Sequence, residues 1–101
     1  MLKVRNMTSP KTGKEVANQF VITDDERNVD LFQSYQSPIV EIDRNNLVIT
    51  VHSDYDYSNT TRKYRNKFMM EQGFSELASG KELKKYLELG TYDIFTIVKA
   101  F

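Results

Sequence analysis

Hydrophobic and polar positions alternate with a period of two over the first half of the chain, and the period changes after residue 57. Phe20, Val21 and Ile22 form an apolar run inside Asn18 to Thr23, which predicts a strand. Asp24-Asp25-Glu26-Arg27-Asn28 is a polar connection of hairpin type. A second strand follows from Val29 to Tyr35, with Val29, Leu31, Gln33 and Tyr35 on one face and Asp30, Phe32 and Ser34 on the other. Gln36-Ser37-Pro38 breaks the pattern, and Ile39 to Asp43 is a third strand. Arg44-Asn45-Asn46 is a turn that tolerates positive φ. Leu47 to Tyr57 reads as the longest strand. Leu47, Ile49, Val51, Tyr55 and Tyr57 share one face, and Val48, Thr50, His52, Asp54 and Asp56 the other.

Beyond residue 57 the spacing is helical. Ser58 or Thr60 caps a predicted helix that runs to about Gln72 and stops at Gly73, with Thr61, Tyr64 and Phe68 on one face. A second helix starts at Ser79, where Ser79 and Glu82 have the capping-box spacing, and ends at Gly90. Its apolar stripe is Leu83, Tyr86 and Leu87. Tyr92 to Phe101 carries Ile94 and Val98 on one face and Phe95 and Ile97 on the other, which predicts a buried strand over a short helix. Residues 1–17 are polar, with turn chemistry at Ser9-Pro10-Lys11-Thr12-Gly13, and read as an N-terminal arm or loop before a single domain at 18–101. Strands grouped ahead of helices predict an α+β domain: an antiparallel sheet of about four strands with one or two helices packed on one face.

Composition narrows the chemistry. The chain of 101 residues has 14 Lys+Arg against 14 Asp+Glu, so its net charge is zero and bulk electrostatics do not favour nucleic acid. With no cysteine there is no disulfide, no thiol nucleophile and no cysteine-bound zinc. No apolar run is long enough to span a bilayer and the first ten residues lack a signal-peptide core, so a cytoplasmic location is expected, with no membrane partner.

Four clusters are candidates for function. The basic run Arg62, Lys63, Arg65 and Lys67 surrounds Tyr64 on the predicted helix 60–72 and could meet phosphates, although a solvated amphipathic helix explains it more simply. His52, Asp54 and Asp56 would point to one side of a strand and could hold a divalent metal; a wet strand end is the plainer reading, and no metal or other cofactor is expected. Thr12-Gly13-Lys14 lacks the upstream glycine and following hydroxyl of a phosphate-binding loop. The six tyrosines supply amphipathic surface, and Tyr55 and Tyr57 beside the helix start are the better interface residues. A single histidine and the absence of a Gly-x-Ser-x-Gly elbow argue against an enzyme.

The segments Thr8-Ser9-Pro10-Lys11-Thr12-Gly13, Val16-Ala17-Asn18-Gln19-Phe20, Phe32-Gln33-Ser34-Tyr35, Ile42-Asp43, Tyr55-Asp56-Tyr57-Ser58, Thr60-Thr61, Lys63-Tyr64-Arg65 and Phe68 stand in an order and spacing of their own. Together they resemble a family of small proteins of phages and integrative mobile elements of Gram-positive bacteria. The resemblance implies an accessory role exerted by binding a host macromolecule, inhibition of a defence system being one such role. Together with the residue reading, it leads to a non-enzymatic protein that binds a host protein through Tyr55, Tyr57, Arg62, Lys63, Arg65 and Lys67. Nucleic-acid binding by the same helix is the first alternative. A small metal-dependent enzyme using His52, Asp54 and Asp56 is the second. A homodimer formed through a sheet edge near residues 92–101 is a further possibility.

Overall fold

Alternating β-branched and aromatic residues build one sheet of seven strands in a computed structural model that describes residues 1–100. The strands are β1 (Leu2–Thr8), β2 (Glu15–Asp24), β3 (Val29–Ser34), β4 (Ser37–Asp43), β5 (Val48–His52), β6 (Thr91–Tyr92) and β7 (Phe95–Ala100). Two helices, α1 (Asn59–Glu71) and α2 (Gly80–Leu89), lie between β5 and β6 in sequence. The class is α+β, as the grouping of elements predicts. The sheet is larger than the expected four strands or so, in the order β1-β2-β3-β4-β5-β7-β6.

The first five strands form an antiparallel meander, because short turns connect them. β7 then pairs parallel to β5, from Val48 with Thr96 to His52 with Ala100. A parallel neighbour needs a long crossover, and α1 and α2 supply it. The tail is therefore a hairpin and not one continuous strand: Thr91 and Tyr92 pair back on Thr96 and Phe95, with Asp93 at φ 53° in the turn. Phe101 lies outside the described residues.

The presumed arm at residues 1–17 is mostly strand. Ser9 to Gly13 closes a hairpin instead of a free loop, with Ser9 N donating to Lys14 O at 2.8 Å and Gly13 at φ 72°. Leu2, Val4 and Asn6 alternate with Lys3, Arg5 and Met7, and Met7 is fully buried in the core. The long strand expected over 47–57 stops at His52. Ser53–Asp56 forms a 3-10 turn closed by Tyr57 N on Asp54 O at 3.1 Å, since serine and aspartate favour turns over ladders.

Both helices begin and end where their caps stand. Ser58 Oγ accepts from Thr61 N at 3.1 Å, and Gly73 at φ 90° follows the C-terminus of α1. Ser79 Oγ accepts from Glu82 N at 3.5 Å, and Gly90 at φ 79° ends α2. Both pack on one sheet face. The core there joins Val21, Phe32, Val40, Ile42, Ile49, Val51 and Ile97 to Tyr64, Phe68, Met69, Leu83 and Leu87. Phe32 stacks on Phe68 with centroids 5.8 Å apart. Phe74, Tyr86, Tyr92 and Phe95 form a second aromatic cluster that seats the tail hairpin.

The opposite sheet face carries no helix. A cross-strand row runs over it through Val4, Ile22, Leu31, Glu41, Thr50 and Val98. Val4 is 63% exposed, while Ile22 and Leu31 are only partly covered and do not join the core cluster.

Candidate functional site

A concavity lies at the head of α1, where the chain gathers four features that local sequence keeps apart. The β3–β4 turn supplies Tyr35 and Gln36, and β4 begins with Ser37. Asn18 comes from a kink in β2, Asp54 from the 3-10 turn, and Tyr57, Ser58, Thr60 and Thr61 from the entry to α1. Together they enclose a cleft of about 770 Å³ with the buried Ile39 in its lining.

Asn18 and Tyr35 shape it through their backbones. Asn18 stands at φ 65° in the middle of β2, so that Val16 and Gln19, three residues apart, both serve the core side. Tyr35 stands at φ 56°, a conformation that costs a bulky residue energy, and its N–H donates to Asn18 O at 2.7 Å. That bond ties the turn to the kink and leaves the Tyr35 ring 52% exposed. Tyr57, at the head of α1, is 76% exposed. Beneath the rings, Ser34 Oγ and Thr61 Oγ1 are 3.0 Å apart, and Ser58 Oγ donates to Thr61 Oγ1 at 3.1 Å. Asp54 Oδ2 accepts from Ser37 Oγ at 2.8 Å, which joins the 3-10 turn to β4. No lysine, arginine or histidine lines the cleft. One residue from Asn18, Gln19 is fully buried with both amide atoms unpartnered among the described residues.

The predicted partner residues divide into two groups. Tyr57 is in the cleft. Tyr55 is half-buried against the core beneath Arg65, whose guanidinium carbon is 5.8 Å from its ring centroid. Arg65 itself is fully buried, so it belongs to the interior and not to a surface patch. Its Nη1 donates to Tyr55 O at 2.7 Å, its Nη2 donates to Asn66 Oδ1 at 3.0 Å, and Asp56 lies 3.8 Å away. Gly80 passes so near that a Cβ there would stand 3.0 Å from Nη2. Burial pulls the pKa of Arg65 below the usual arginine value, against the pull of the Asp56 carboxylate. The helical stripe is therefore Thr61, Tyr64, Arg65, Phe68 and Met69. Arg65 takes the fourth place after Thr61, a spacing the sequence already contained.

The other cations of α1 are mostly engaged within the molecule. Arg62 pairs with Asp56 at 3.6 Å and donates to Asn59 Oδ1. Lys67 donates to Thr8 through its carbonyl and, at 2.8 Å, its hydroxyl, with Glu71 3.8 Å away. Lys63 is exposed and lies over the Tyr64 ring at 5.4 Å.

The proposed histidine and carboxylate face does not form. His52 ends β5 on the uncovered sheet face, Asp54 binds Ser37, and Asp56 turns to Arg62 and Arg65. The reason is the 3-10 turn, which abolishes the two-residue alternation on which a shared face depended. No group of three histidine, cysteine or acidic residues suited to a metal ion occurs among the described residues. No helix there is long and apolar enough to cross a membrane.

Tyr35, Asn18 and Ser34 were not among the expected site residues. A tyrosine at positive φ contradicts its own propensity, so no local signal announces it.

With this geometry in view, the sequence model of a family of unknown function, DUF8033, matches residues 2–85. The chain belongs to that family. The match spans the meander, the cleft and most of α2, and stops before the tail hairpin. No curated protein and no solved structure matches the chain.

Proposed function

We propose that this member of the family is a non-enzymatic binding protein, an accessory of a phage or mobile element that engages a host protein through the cleft at the head of α1. The observation that carries the reading is the pair of exposed rings, Tyr35 and Tyr57, flanking a cleft without a cation. Tyrosine brings large contact area at low cost in side-chain entropy, with a polar tip that tolerates water. The backbone strain at Tyr35 and the bond to Asn18 hold one of these rings before a partner arrives. No histidine or lysine lies in the cleft beside Asp54, so its lining lacks the commonest acid–base partner for that carboxylate.

Nucleic acid is the weaker reading, because Arg62 and Lys67 already have acceptors within the molecule and Arg65 is buried. The test is a pull-down from host lysate, with and without nuclease, using the wild-type chain and the Tyr57→Ser variant. The expected result is a protein that is retained after nuclease and lost with Tyr57→Ser. Retention that disappears on nuclease treatment would overturn the proposal. Because Tyr57 is 76% exposed, the variant is expected to keep its stability within about 0.5 kcal/mol.

A further inference from the structure

The sheet face away from the helices is a second surface, independent of the cleft. On it Val4 is exposed and Leu31 is partly covered, and neither joins the core under the helices. A sheet ordinarily buries its apolar face against a second layer, and here the helices cover only the opposite face, although Val29 at the β2–β3 end of this one is buried too. The charge distribution is one-sided as well. Of the cations within the strands, Lys3 and Arg5 project to the helix side with Met7, and Lys99 shares the register of Val51 on that same side. The uncovered face thus receives no lysine or arginine from any strand. It holds Glu41 in the middle of the row, and Asp24 and Asp43 at strand ends.

We infer that this face docks a basic amphipathic segment of another protein: a helix whose apolar stripe lies on the Val4, Ile22 and Leu31 side and whose lysines or arginines meet Glu41. The charge pattern chooses the occupant. A second copy laid face to face would bring Glu41 near its own symmetry mate, with no strand lysine or arginine on either face to offset the repulsion; Arg27 acts on Asp43 at the strand ends, and His52 lies at the end of β5. Anionic lipid and nucleic acid are repelled by the same carboxylates. The dimensions suit a helix. Six strands at about 4.8 Å spacing give a row about 24 Å long, the length of roughly 16 helical residues.

The probe is a synthetic 16-residue helix of leucine and lysine in amphipathic spacing, of roughly the length just derived. Its leucine–glutamate counterpart is the control, and both are titrated while the protein's amide and methyl resonances are followed. The expected result is a saturable shift of Val4, Ile22, Leu31 and Val98 with the lysine peptide and none with the glutamate peptide. Glu41→Lys should weaken the complex about tenfold and Val4→Ser to a similar degree. Tyr57→Ser should leave it unchanged, which separates failure here from failure of the cleft proposal. Val4 is on an exposed edge strand, so melting curves of that variant confirm that it folds. Absence of shifts, shifts confined to the helix side, or a dimer seen by light scattering that Val4→Ser dissolves would each overturn the inference. So would Val4-dependent binding to anionic vesicles.

Discussion

Among the described residues, Arg65 is the largest side chain that the fold buries completely. Its position is imposed by helical geometry, since it lies four residues from both Thr61 and Met69 on the buried stripe. A charge placed there requires acceptors, and the Tyr55 carbonyl and Asn66 amide oxygen provide them. Arg65 thus pins the 3-10 turn to α1, and with it the approach to Tyr57. Arg65→Ala is expected to cost about 2–5 kcal/mol, through lost packing and an orphaned Tyr55 carbonyl. Asp56→Asn should change stability by less than about 0.5 kcal/mol, since that carboxylate is largely in water. Urea titrations of the two variants check this. Equal, small effects would show that the guanidinium is not what holds the turn. The basic run itself was plain in the sequence, but its meaning was not. Residue type names Arg65 as a surface cation, and only the full width of the stripe shows that it points inward.

At the scale of elements, turn chemistry determines much of the register. Asp43 closes the β4–β5 turn: its Oδ1 accepts from the N–H groups of Asn45 and Asn46, and its Oδ2 from the Asn46 side chain at 2.9 Å. These bonds, led by the Asn46 side chain, hold its pKa below the ordinary aspartate value of 3.8. The unfolded chain therefore takes up this proton first as pH falls. The stabilisation is complete above the ordinary value and is lost as pH drops toward the folded one. Asp43→Asn should give a shallower fall of melting temperature between about pH 5 and pH 2 than the wild type shows. Parallel melting curves across that range would refute the assignment. Strands with clean alternation, both helices and all their caps were legible in the sequence, because each depends on neighbours a few residues away. β1 was not. Its strand Leu2–Thr8 has short, mixed alternation, and what makes it a strand is pairing with β2. The end of β5 was missed for the converse reason, since Asp54 and Asp56 continue an alternation that the 3-10 turn interrupts. The cleft was half legible. Tyr57 stood out beside a helix start, whereas Tyr35 and Asn18 reach the site through positive-φ backbone that residue type does not announce.

At the scale of the molecule, the radius of gyration of 12.7 Å is that of a compact chain of this length, yet the sheet has a helical layer on one side only. Two surfaces of different character follow: a tyrosine-walled cleft with one carboxylate, Asp54, on one flank and an apolar sheet face with Glu41 at its middle behind. The topology that produces them also orders events in time. β5 and β7 meet between residues 48 and 96, so their contact closes a far larger loop than any hairpin of the meander. Ile97→Ala, on β7, should mainly raise the unfolding rate and leave the folding rate nearly unchanged in stopped-flow measurements. A large drop in folding rate would place β7 in the nucleus instead. On the ribosome the same ordering has a duration. Between the completion of β5 and that of β7, synthesis takes roughly 2 to 10 s, and for that interval the nascent meander stands without its crossover. Until α1 and α2 have followed β5 out of the ribosome, the meander has no helical layer on either side and its core face stands open to other copies.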